Sequence, residues 1–380
     1  MKKKVVSVFL SVAMVAALLA GCGGTNGTAP ADTAAPADTQ AAAPADVPPA
    51  EKAGTPQEGT MHFEIVSKGF QHQYWQAVYK GAQNKAAELG ATINFVGPNS
   101  ESDIAQQVQM LEAANAANPN AIGLAALDTS ACLDAITSAQ NAGIPIVGFD
   151  SGVPGAPEGA IIANAATDNY AAGALAAEEA FKLIEDKLEA GTRIGVLSQD
   201  ATSESIVNRG LGFVDKMAEL VVGKNLTVTV EGNDKFVNDT TAVKTDGADV
   251  VIEVLVPAQV TSELSSIDCQ TLLNKKDTIC IYGSNQHSAE AMVTANENIG
   301  RLGKDVIGIG FDSGAVIKGA VADGTLAGAI TQAPVAMGEA VVDLLYKAAN
   351  GESVADVDTG CQWFTAENMN NEEIAQNLYD

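Results

Sequence analysis

The sequence has few basic residues and lacks the short patterns that hold a metal ion or a catalytic nucleophile. It carries 21 Lys and Arg residues against 47 Asp and Glu residues, which gives a formal net charge of −26 at pH 7. A field of this sign repels nucleic acid and phosphate-rich ligands. The five cysteines form no CxxC pair or Cys/His cluster with metal-site spacing, and no GxSxG nucleophile elbow occurs. These absences argue against a nucleic-acid-binding protein, a metalloprotein and a serine hydrolase.

Residues 1–21 have the pattern of an export signal. Three lysines, Lys2 to Lys4, precede an apolar run from Val5 to Ala20. The end of this run, LAGC, resembles the lipobox of bacterial lipoproteins, whose cysteine becomes the lipidated N-terminus after cleavage. We therefore expect residues 1–21 to be removed and Cys22 to anchor the protein at the extracytoplasmic face of the cell membrane.

Residues 22–59 are rich in Ala, Pro and small polar residues and contain almost no large apolar side chain. The tetrapeptide APAD occurs three times, starting at Ala29, Ala35 and Ala43. Such a segment buries too little surface to offset the entropy lost on ordering. We predict a disordered, proline-stiffened tether between the lipid anchor and a folded body.

The rest of the chain alternates between short β-rich runs and helical patterns. This rhythm predicts parallel sheets covered by helices, and the length is sufficient for two lobes. The first series predicts strands at 63–67, 92–96, 121–126 and 144–149. The second series predicts helices at 168–188 and 203–220, and strands at 193–198, 227–231, 250–254, 278–282 and 306–311. For residues 232–257 the pattern leaves open whether they add a strand or form a surface flap.

Acidic, amide and aromatic residues follow the predicted strands. The pentapeptide GFDSG occurs twice, at Gly148–Gly152 and Gly310–Gly314, each time directly after an apolar run. In open parallel sheets, ligands bind beyond the carboxyl ends of the strands. Carboxylates and amides form paired hydrogen bonds with neighbouring hydroxyl groups, and aromatic rings cover apolar C–H faces. This composition predicts a site for an uncharged, polyhydroxylated molecule.

Eight segments, in this order, resemble the ribose/galactose class of substrate-binding proteins of ABC importers, whose ligand-binding core is shared by LacI-type repressors. They are the 70–75 loop leading into YKGAQNKAAELGA, then LAALDTSA, NAGIPIVGFDSG, ATDNYAAG, NRGLGF, YGSNQHSAEAM, GIGFDSG and LAGAITQAP. The resemblance covers residues 61–380. It implies an α/β fold of two Rossmann-like lobes with parallel sheets, joined by a three-strand hinge. The lobes would be residues 60–166 plus 333–361 and residues 167–332 plus 362–380.

The resemblance also implies which side chains contact a ligand clamped between the lobes. Asp150 and Asp312 would reach the cleft from opposite walls, so that full hydrogen bonding requires both lobes to close. The implied contacts are His72, Tyr74, Trp75, Asp150, Ser151, Asn285, Asp312 and Gln332, with Phe70, Asp128, Ser203 and Glu204 as further candidates. Ribose-type sites carry arginines where this chain has Ser151 and Val207, so ribose itself is not the expected ligand.

The implied function is that of a solute-binding lipoprotein, without enzymatic activity, metal or cofactor, that captures a neutral monosaccharide or sugar-like ligand. The implied partners are an ABC permease and its ATPase, and the implied state is a monomer. An alternative is a receptor that binds a nucleoside or furanosyl signal for a sensor partner. A repressor is excluded by the export signal and by the absence of a basic helix-turn-helix segment.

Other interpretations remain open at the level of single residues. Aspartate after a strand often caps the next helix, so Asp150 and Asp312 could be helix caps, and paired aspartates also occur in glycosidases. The spacing GxGxxxG at 308–314 differs from the dinucleotide-binding GxGxxG. Cys269 and Cys280 could form a disulfide in an exported protein, or both could be buried free thiols.

Overall fold

The computed structural model describes residues 59–380, which form two lobes, each built on its own sheet. The predicted export signal, Cys22 and all but the last residue of the predicted tether lie outside the described residues. Within the described part of the chain, no helix is long and apolar enough to cross a membrane.

The first sheet has six strands in the order β12-β5-β4-β3-β1-β2, and all neighbouring strands are parallel. Parallel sheets are covered on both faces, and accordingly β3 and β4 are buried along their whole length. The strands of this sheet are β1 His62–Val66, β2 Thr92–Val96, β3 Ala121–Leu124, β4 Ile146–Phe149, β5 Ile161–Ala166 and β12 Val357–Asp358.

The second sheet has seven strands in the order β13-β11-β10-β9-β6-β8-β7. All neighbours are parallel except the edge strand β13, which pairs antiparallel with β11. The strands are β6 Thr192–Leu197, β7 Val228–Gly232, β8 Val250–Leu255, β9 Thr278–Gly283, β10 Ile307–Phe311, β11 Gly328–Gln332 and β13 Cys361–Phe364.

Helices connect the strands and pack on both faces of each sheet. Several start at a residue whose side chain caps the helix; Asp168, for example, accepts a hydrogen bond from the Ala171 N–H at the start of α4. The helices are α1 Gln73–Leu89, α2 Ile104–Ala116, α3 Leu133–Ala142, α4 Asn169–Ile184, α5 Glu204–Gly223, α6 Asp234–Asp239, α7 Ser262–Asn274, α8 Gln286–Ile299, α9 Ala315–Ala322, α10 Pro334–Ala349 and α11 Glu372–Ala375. A short 3-10 helix covers Glu185–Lys187.

The chain passes between the two sheets three times. It leaves the first sheet after β5, returns after β11 through α10, which packs on β3, β4 and β5, and leaves again between β12 and β13. Neither lobe is therefore one continuous segment. This connectivity is the fold implied by the sequence resemblance.

Each predicted strand agrees with an observed strand to within two residues, the strands β5, β11, β12 and β13 were not predicted, and one ambiguity is resolved. Strand β5, IIANAA, was not predicted, because alanine and asparagine have low β propensity and only its neighbours hold it in the sheet. Residues 232–257 contain both a short helix, α6, and the buried strand β8. The segment therefore adds a strand to the second sheet, between β6 and β7.

The cysteines of the described residues are free thiols. Cys269 packs with Leu272 and Met292 in one core cluster, whereas Cys280 packs with Phe213 and Tyr282 in another. Because both thiols are buried and lie in separate clusters, the free-thiol interpretation is the one observed.

Candidate functional site

The two GFDSG segments bend the chain at their aspartates in the same way, one at the end of β4 and one at the end of β10. Asp150 has a φ of 58° and Asp312 a φ of 70°, both in the left-handed region. Aspartate enters this region more readily than most residues because its short side chain bonds locally. In each turn the aspartate N–H donates to the next strand of its sheet, to the Ala165 carbonyl at 3.0 Å and to the Ile330 carbonyl at 2.6 Å. The repeated pentapeptide thus repeats the left-handed backbone at its aspartate, whereas its last glycine has a positive φ only at Gly314, 96°.

Both turns present their carboxylates to one small cavity between the lobes. The cavity is small: the space between its walls is about 300 Å³ when its solvent-open mouth is included. It is bounded by polar and aromatic side chains from both sheets. The lining residues are Lys68, His72, Tyr74, Trp75, Glu101, Asp150, Ile206, Arg209, Asn285, Gln286, Asp312 and Gln332.

Asp150 is buried and is held by charged and hydrogen-bonding groups. Its Oδ2 lies 2.8 Å from the Lys68 ammonium, and its Oδ1 accepts a hydrogen bond from the Tyr74 hydroxyl at 2.8 Å. Burial acts to raise the pKa of Asp150, but the positive charges of Lys68 and Arg209 and the two hydrogen bonds outweigh it and lower the pKa. Asp150 is therefore an ionised acceptor at neutral pH.

Asp312 is also buried, but most of its partners are neutral. Its Oδ1 accepts from the Gln332 amide at 2.7 Å and its Oδ2 from the Gln286 backbone N–H at 2.9 Å. Burial dominates here and raises the pKa of Asp312 in spite of the nearby Arg209. The two equivalent aspartates thus occupy different electrostatic environments.

Arg209 lies between the two aspartates. One of its terminal nitrogens is 3.9 Å from Asp150 and the other is 3.9 Å from Asp312. Its guanidinium stacks over the Phe311 ring at 4.2 Å, and its Nε donates to Asn169 at 2.7 Å. Burial alone would lower the pKa of Arg209, but the two carboxylates raise it. Arg209 therefore stays charged and compensates the negative charge of both turns.

A second polar network is centred on Glu101, in the loop after β2. Glu101 Oε1 accepts from the Trp75 indole N–H at 2.8 Å, and Oε2 accepts from the Gln199 amide at 3.1 Å. Gln199 in turn accepts from the Asn285 side chain at 2.7 Å. The network joins α1 of the first lobe to the β6 and β9 loops of the second.

Direct contacts between the lobes close the cavity on several sides. The Lys68 ammonium donates to the Ser203 hydroxyl at 2.9 Å and to the Ser205 hydroxyl at 2.8 Å. The Gln73 and Gln286 side chains meet at 2.6 Å. With the Glu101–Gln199 bond, these contacts describe a closed arrangement of the two lobes around the cavity.

Comparison with known proteins identifies the class to which this architecture belongs. The family profile of the periplasmic binding protein domain matches residues 63–353, most of the chain. The chain belongs to this family. The periplasmic binding proteins are binding proteins rather than enzymes, and their two-lobe arrangement is the one seen here.

Relatives named for sugars lie among the proteins similar to this periplasmic binding protein. The ribose import binding protein of Bacillus subtilis (strain 168) is 23% identical over 298 residues, which cover 77% of this chain and 84% of that protein. An ABC transporter solute-binding protein from Agrobacterium vitis, solved with bound D-fucose, is 30% identical with a TM-score of 0.70, covering 84% of this chain and all of the other. A Brachyspira murdochii structure, titled as an ABC transporter and LacI family transcriptional regulator, is 31% identical with a TM-score of 0.71, covering 85% of this chain and all of the other.

The structure brings most of the predicted site residues together. Of the principal set, all but Ser151 line the cavity: His72, Tyr74, Trp75, Asp150, Asn285, Asp312 and Gln332. Ser151 lies behind it, where its hydroxyl accepts from the Ser205 N–H at 3.2 Å. The helix-cap interpretation applies to neither aspartate, since neither is the N-cap residue of a helix.

The further candidates lie outside the cavity lining. Phe70 packs edge-on against Tyr79 and Phe95. The Asp128 carboxylate accepts from the Ser130 and Ala131 N–H groups of its own loop. Ser203 and Glu204 start α5, where Ser203 receives Lys68 and Glu204 accepts from the Gly152 N–H at 3.2 Å. These four positions are explained by local contacts in the closed arrangement.

Sequence reasoning missed five of the residues that line the cavity: Lys68, Glu101, Ile206, Arg209 and Gln286. A signal existed for two of them, because Lys68 begins the loop after β1 and Arg209 lies within the quoted motif NRGLGF. A buried cation needs a buried anion, so Lys68 and Arg209 could each have been assigned to Asp150. For Glu101 and Ile206 the sequence carries no such signal.

The site has the chemistry of a binding site for hydroxyl groups. One small space is faced by carboxylates, which only accept hydrogen bonds, by cations, which only donate them, and by amide side chains, which do both. Among the described residues, no group of three or more His, Cys, Asp or Glu side chains is arranged to hold a metal ion. The arrangement can bind and orient a small polar molecule.

Proposed function

We propose that this protein is an extracytoplasmic solute-binding lipoprotein that captures a neutral monosaccharide, or a similar sugar-like molecule, between its lobes and delivers it to an ABC importer. The partners would be the permease and its ATPase. The protein would act as a monomer tethered to the cell membrane through lipidated Cys22.

The observation that carries the proposal is the position of the two aspartate turns. Asp150 and Asp312 come from different lobes and line one cavity that also contains amide and aromatic side chains. Pairs of ligand hydroxyls can donate to each carboxylate in charge-assisted hydrogen bonds, which are stronger than neutral ones. A ligand bound to both carboxylates would stabilise the closed arrangement over an open one.

The relatives support a sugar as the ligand. The Agrobacterium vitis protein, 30% identical, is described with bound D-fucose, and curated relatives are named for the import of ribose and the binding of D-allose. Ribose itself is disfavoured here, because Ser151 and Val207 replace the arginines that ribose-type sites carry.

We propose the lobe boundaries at 60–166 plus 333–361 and 167–332 plus 362–380. The sheets support them: the strands of the first sheet fall within the first set, and those of the second sheet fall within the second set apart from Cys361 at the start of β13. The predicted signal, lipid anchor and tether precede the lobes in the sequence.

Thermal unfolding of the purified protein with a panel of pentoses, hexoses, disaccharides, polyols and nucleosides tests this function. A ligand present at about a thousand times its dissociation constant adds roughly 4 kcal/mol to the folded state. We expect a neutral monosaccharide to raise the melting temperature clearly. Stabilisation by a nucleoside alone would favour the alternative function of a signal receptor.

Substitution of the two aspartates tests whether the cavity is the binding site. Asp150→Asn and Asp312→Asn keep a side chain that tolerates the left-handed turn but remove the charge. We expect each to abolish the sugar-dependent shift or to raise the dissociation constant at least ten-fold, because charge-assisted hydrogen bonds become neutral. Asp128→Asn, in a loop outside the cavity, is the matched control and should bind like the wild type.

A further inference from the structure

Ile206 stands out among the side chains that line the cavity. It belongs to the first turn of α5, three residues after Ser203, and is only 3% exposed. Among the described residues that line the cavity, it is the single aliphatic side chain. The start of α5 therefore contributes an apolar surface to an otherwise polar wall.

The other apolar surfaces of the cavity differ from Ile206 because they belong to aromatic rings with polar ends. The Tyr74 hydroxyl donates to Asp150 and the Trp75 indole N–H donates to Glu101. Their rings suit the C–H face of a sugar. Ile206 lies in the second lobe and has no polar atom in its side chain. The part of a ligand that contacts it should therefore be apolar, and this part differs from the face that contacts the rings.

The sequence neighbours of Ile206 are Ser205, whose hydroxyl group is hydrogen-bonded to other side chains of the protein, and Val207, which is apolar. Ser205 Oγ lies 2.8 Å from the Lys68 ammonium and 3.4 Å from Ser203 Oγ. Val207, on the other side, is apolar and lies outside the cavity lining. The Ile206 side chain itself offers a ligand hydroxyl group neither a donor nor an acceptor, and a buried hydroxyl group left without a partner is costly.

We propose that Ile206 is a specificity-determining residue and that the site prefers a deoxysugar, with a methyl or methylene group, rather than a hydroxyl, at the position that faces α5. This inference rests on the proposed function, because it names the class of sugar for the same site. The carboxylates and amides of the other walls bind the remaining hydroxyl groups.

Sugar pairs that differ in one hydroxyl group test the proposal directly. Suitable pairs are D-fucose and D-galactose, L-rhamnose and L-mannose, and 2-deoxy-D-ribose and D-ribose, measured by isothermal titration calorimetry on the purified protein. In at least one pair we expect the deoxy member to bind roughly 10- to 100-fold more tightly, the range over which an apolar pocket discriminates by one group.

Two substitutions at Ile206 separate polarity from size. Valine and threonine have the same shape, and both lack the Cδ1 methyl group of isoleucine, but only threonine has a hydroxyl group. We expect Ile206→Thr to reduce the preference for the deoxy member by about ten-fold and Ile206→Val to retain it. Val222→Thr makes the corresponding valine-to-threonine change near the end of the same helix, where the side chain is exposed and outside the cavity lining, and should leave the preference unchanged.

The outcomes distinguish the specificity from the function. Equal or tighter binding of the hydroxylated member in every pair that binds would overturn the role of Ile206 while leaving the sugar-binding function intact. So would equal effects of the threonine and valine substitutions in variants that circular dichroism shows to be folded. If no sugar of the wider panel binds the wild-type protein, the proposed function itself fails, and the inference fails with it.

Discussion

At the scale of single residues, a buried histidine beside the site has an ionisation that depends on the fold. His287, in the first turn of α8, is 7% exposed, and its Nε2 lies 2.8 Å from the Ser265 hydroxyl. Its ring faces His72 of the other lobe, with 5.9 Å between the ring centroids. Burial, with a smaller contribution from His72, lowers the pKa of His287 to about 4.

The lowered pKa of His287 predicts a loss of stability in weak acid. The unfolded chain takes up this proton near pH 6.5, whereas the folded protein takes it up only near pH 4, so stability present above pH 6.5 is lost as the pH falls through this window. Urea unfolding should show that His287→Gln loses about 2 kcal/mol less than the wild type between about pH 7.5 and pH 5. Equal losses in both proteins would contradict the assignment.

At the scale of elements, each lobe contains a pair of helices that cross at glycines. In the first lobe α1 and α10 meet at Gly81 and Gly338, and in the second α4 and α5 meet at Gly173 and Gly212. A Cβ atom at any of these positions would lie within about 2.1 Å of a carbonyl oxygen of the facing helix. The crossing of α4 and α5 matters for the site because α5 carries Arg209.

Substitution at the α4–α5 crossing should therefore destabilise the protein and disturb the site. In Gly173→Ala the new methyl group would lie 2.1 Å from the Arg209 carbonyl oxygen, so the helices must separate. We expect a loss of about 1–3 kcal/mol in the free energy of unfolding, together with weaker ligand binding. Calorimetric melting and titration of the same preparation would check both effects.

Gly319→Ala in α9 is the matched control for this helix substitution. No atom lies within 4 Å of the position that its Cβ would take, and the residue is exposed. We expect it to stabilise the protein by about 0.5–1 kcal/mol, the usual gain from replacing glycine inside a helix. A comparable loss of stability in both variants would show that the crossing does not require glycine.

At the scale of the whole molecule, the net negative charge of the protein and the balanced charges of the cavity both favour a neutral ligand. The formal net charge is −26, while the cavity itself contains compensating groups, Lys68 and Arg209 among Glu101, Asp150 and Asp312. A neutral ligand crosses this field without electrostatic cost, whereas a phosphorylated ligand is repelled. The closed cavity also leaves little room for a phosphate substituent.

The neutral-ligand prediction can be checked with a sugar that binds and with its phosphate ester. D-galactose and D-galactose 1-phosphate form such a pair. We expect no measurable binding of the phosphate ester, and less than about a two-fold change in the dissociation constant of the neutral sugar as salt is raised. Tighter binding of the ester at low salt would indicate that Lys68 and Arg209 select an anion.

The class of fold and most of the residues that line the cavity could be predicted from the sequence. Alternating β-rich and helical runs predicted the parallel sheets, and strand β2 was predicted at its observed bounds. The two GFDSG segments predicted that Asp150 and Asp312 lie beyond the carboxyl ends of strands, where ligands bind in parallel sheets, and the family resemblance implied that they reach one cleft from opposite walls. These features depend on local pattern and on the repeated motif, which a single sequence records.

Only the tertiary structure decided the partners of these residues. Arg209 lies between the two aspartates, and Lys68 joins Asp150 to Ser203, because distant segments meet across the two lobes. Strand β5 exists because its neighbours hold it, although its own residues have low β propensity. The electrostatic difference between two identical pentapeptides also arises from long-range packing, since Asp150 contacts a lysine and Asp312 contacts neutral donors. Local sequence specifies a turn, and the assembled lobes specify its environment.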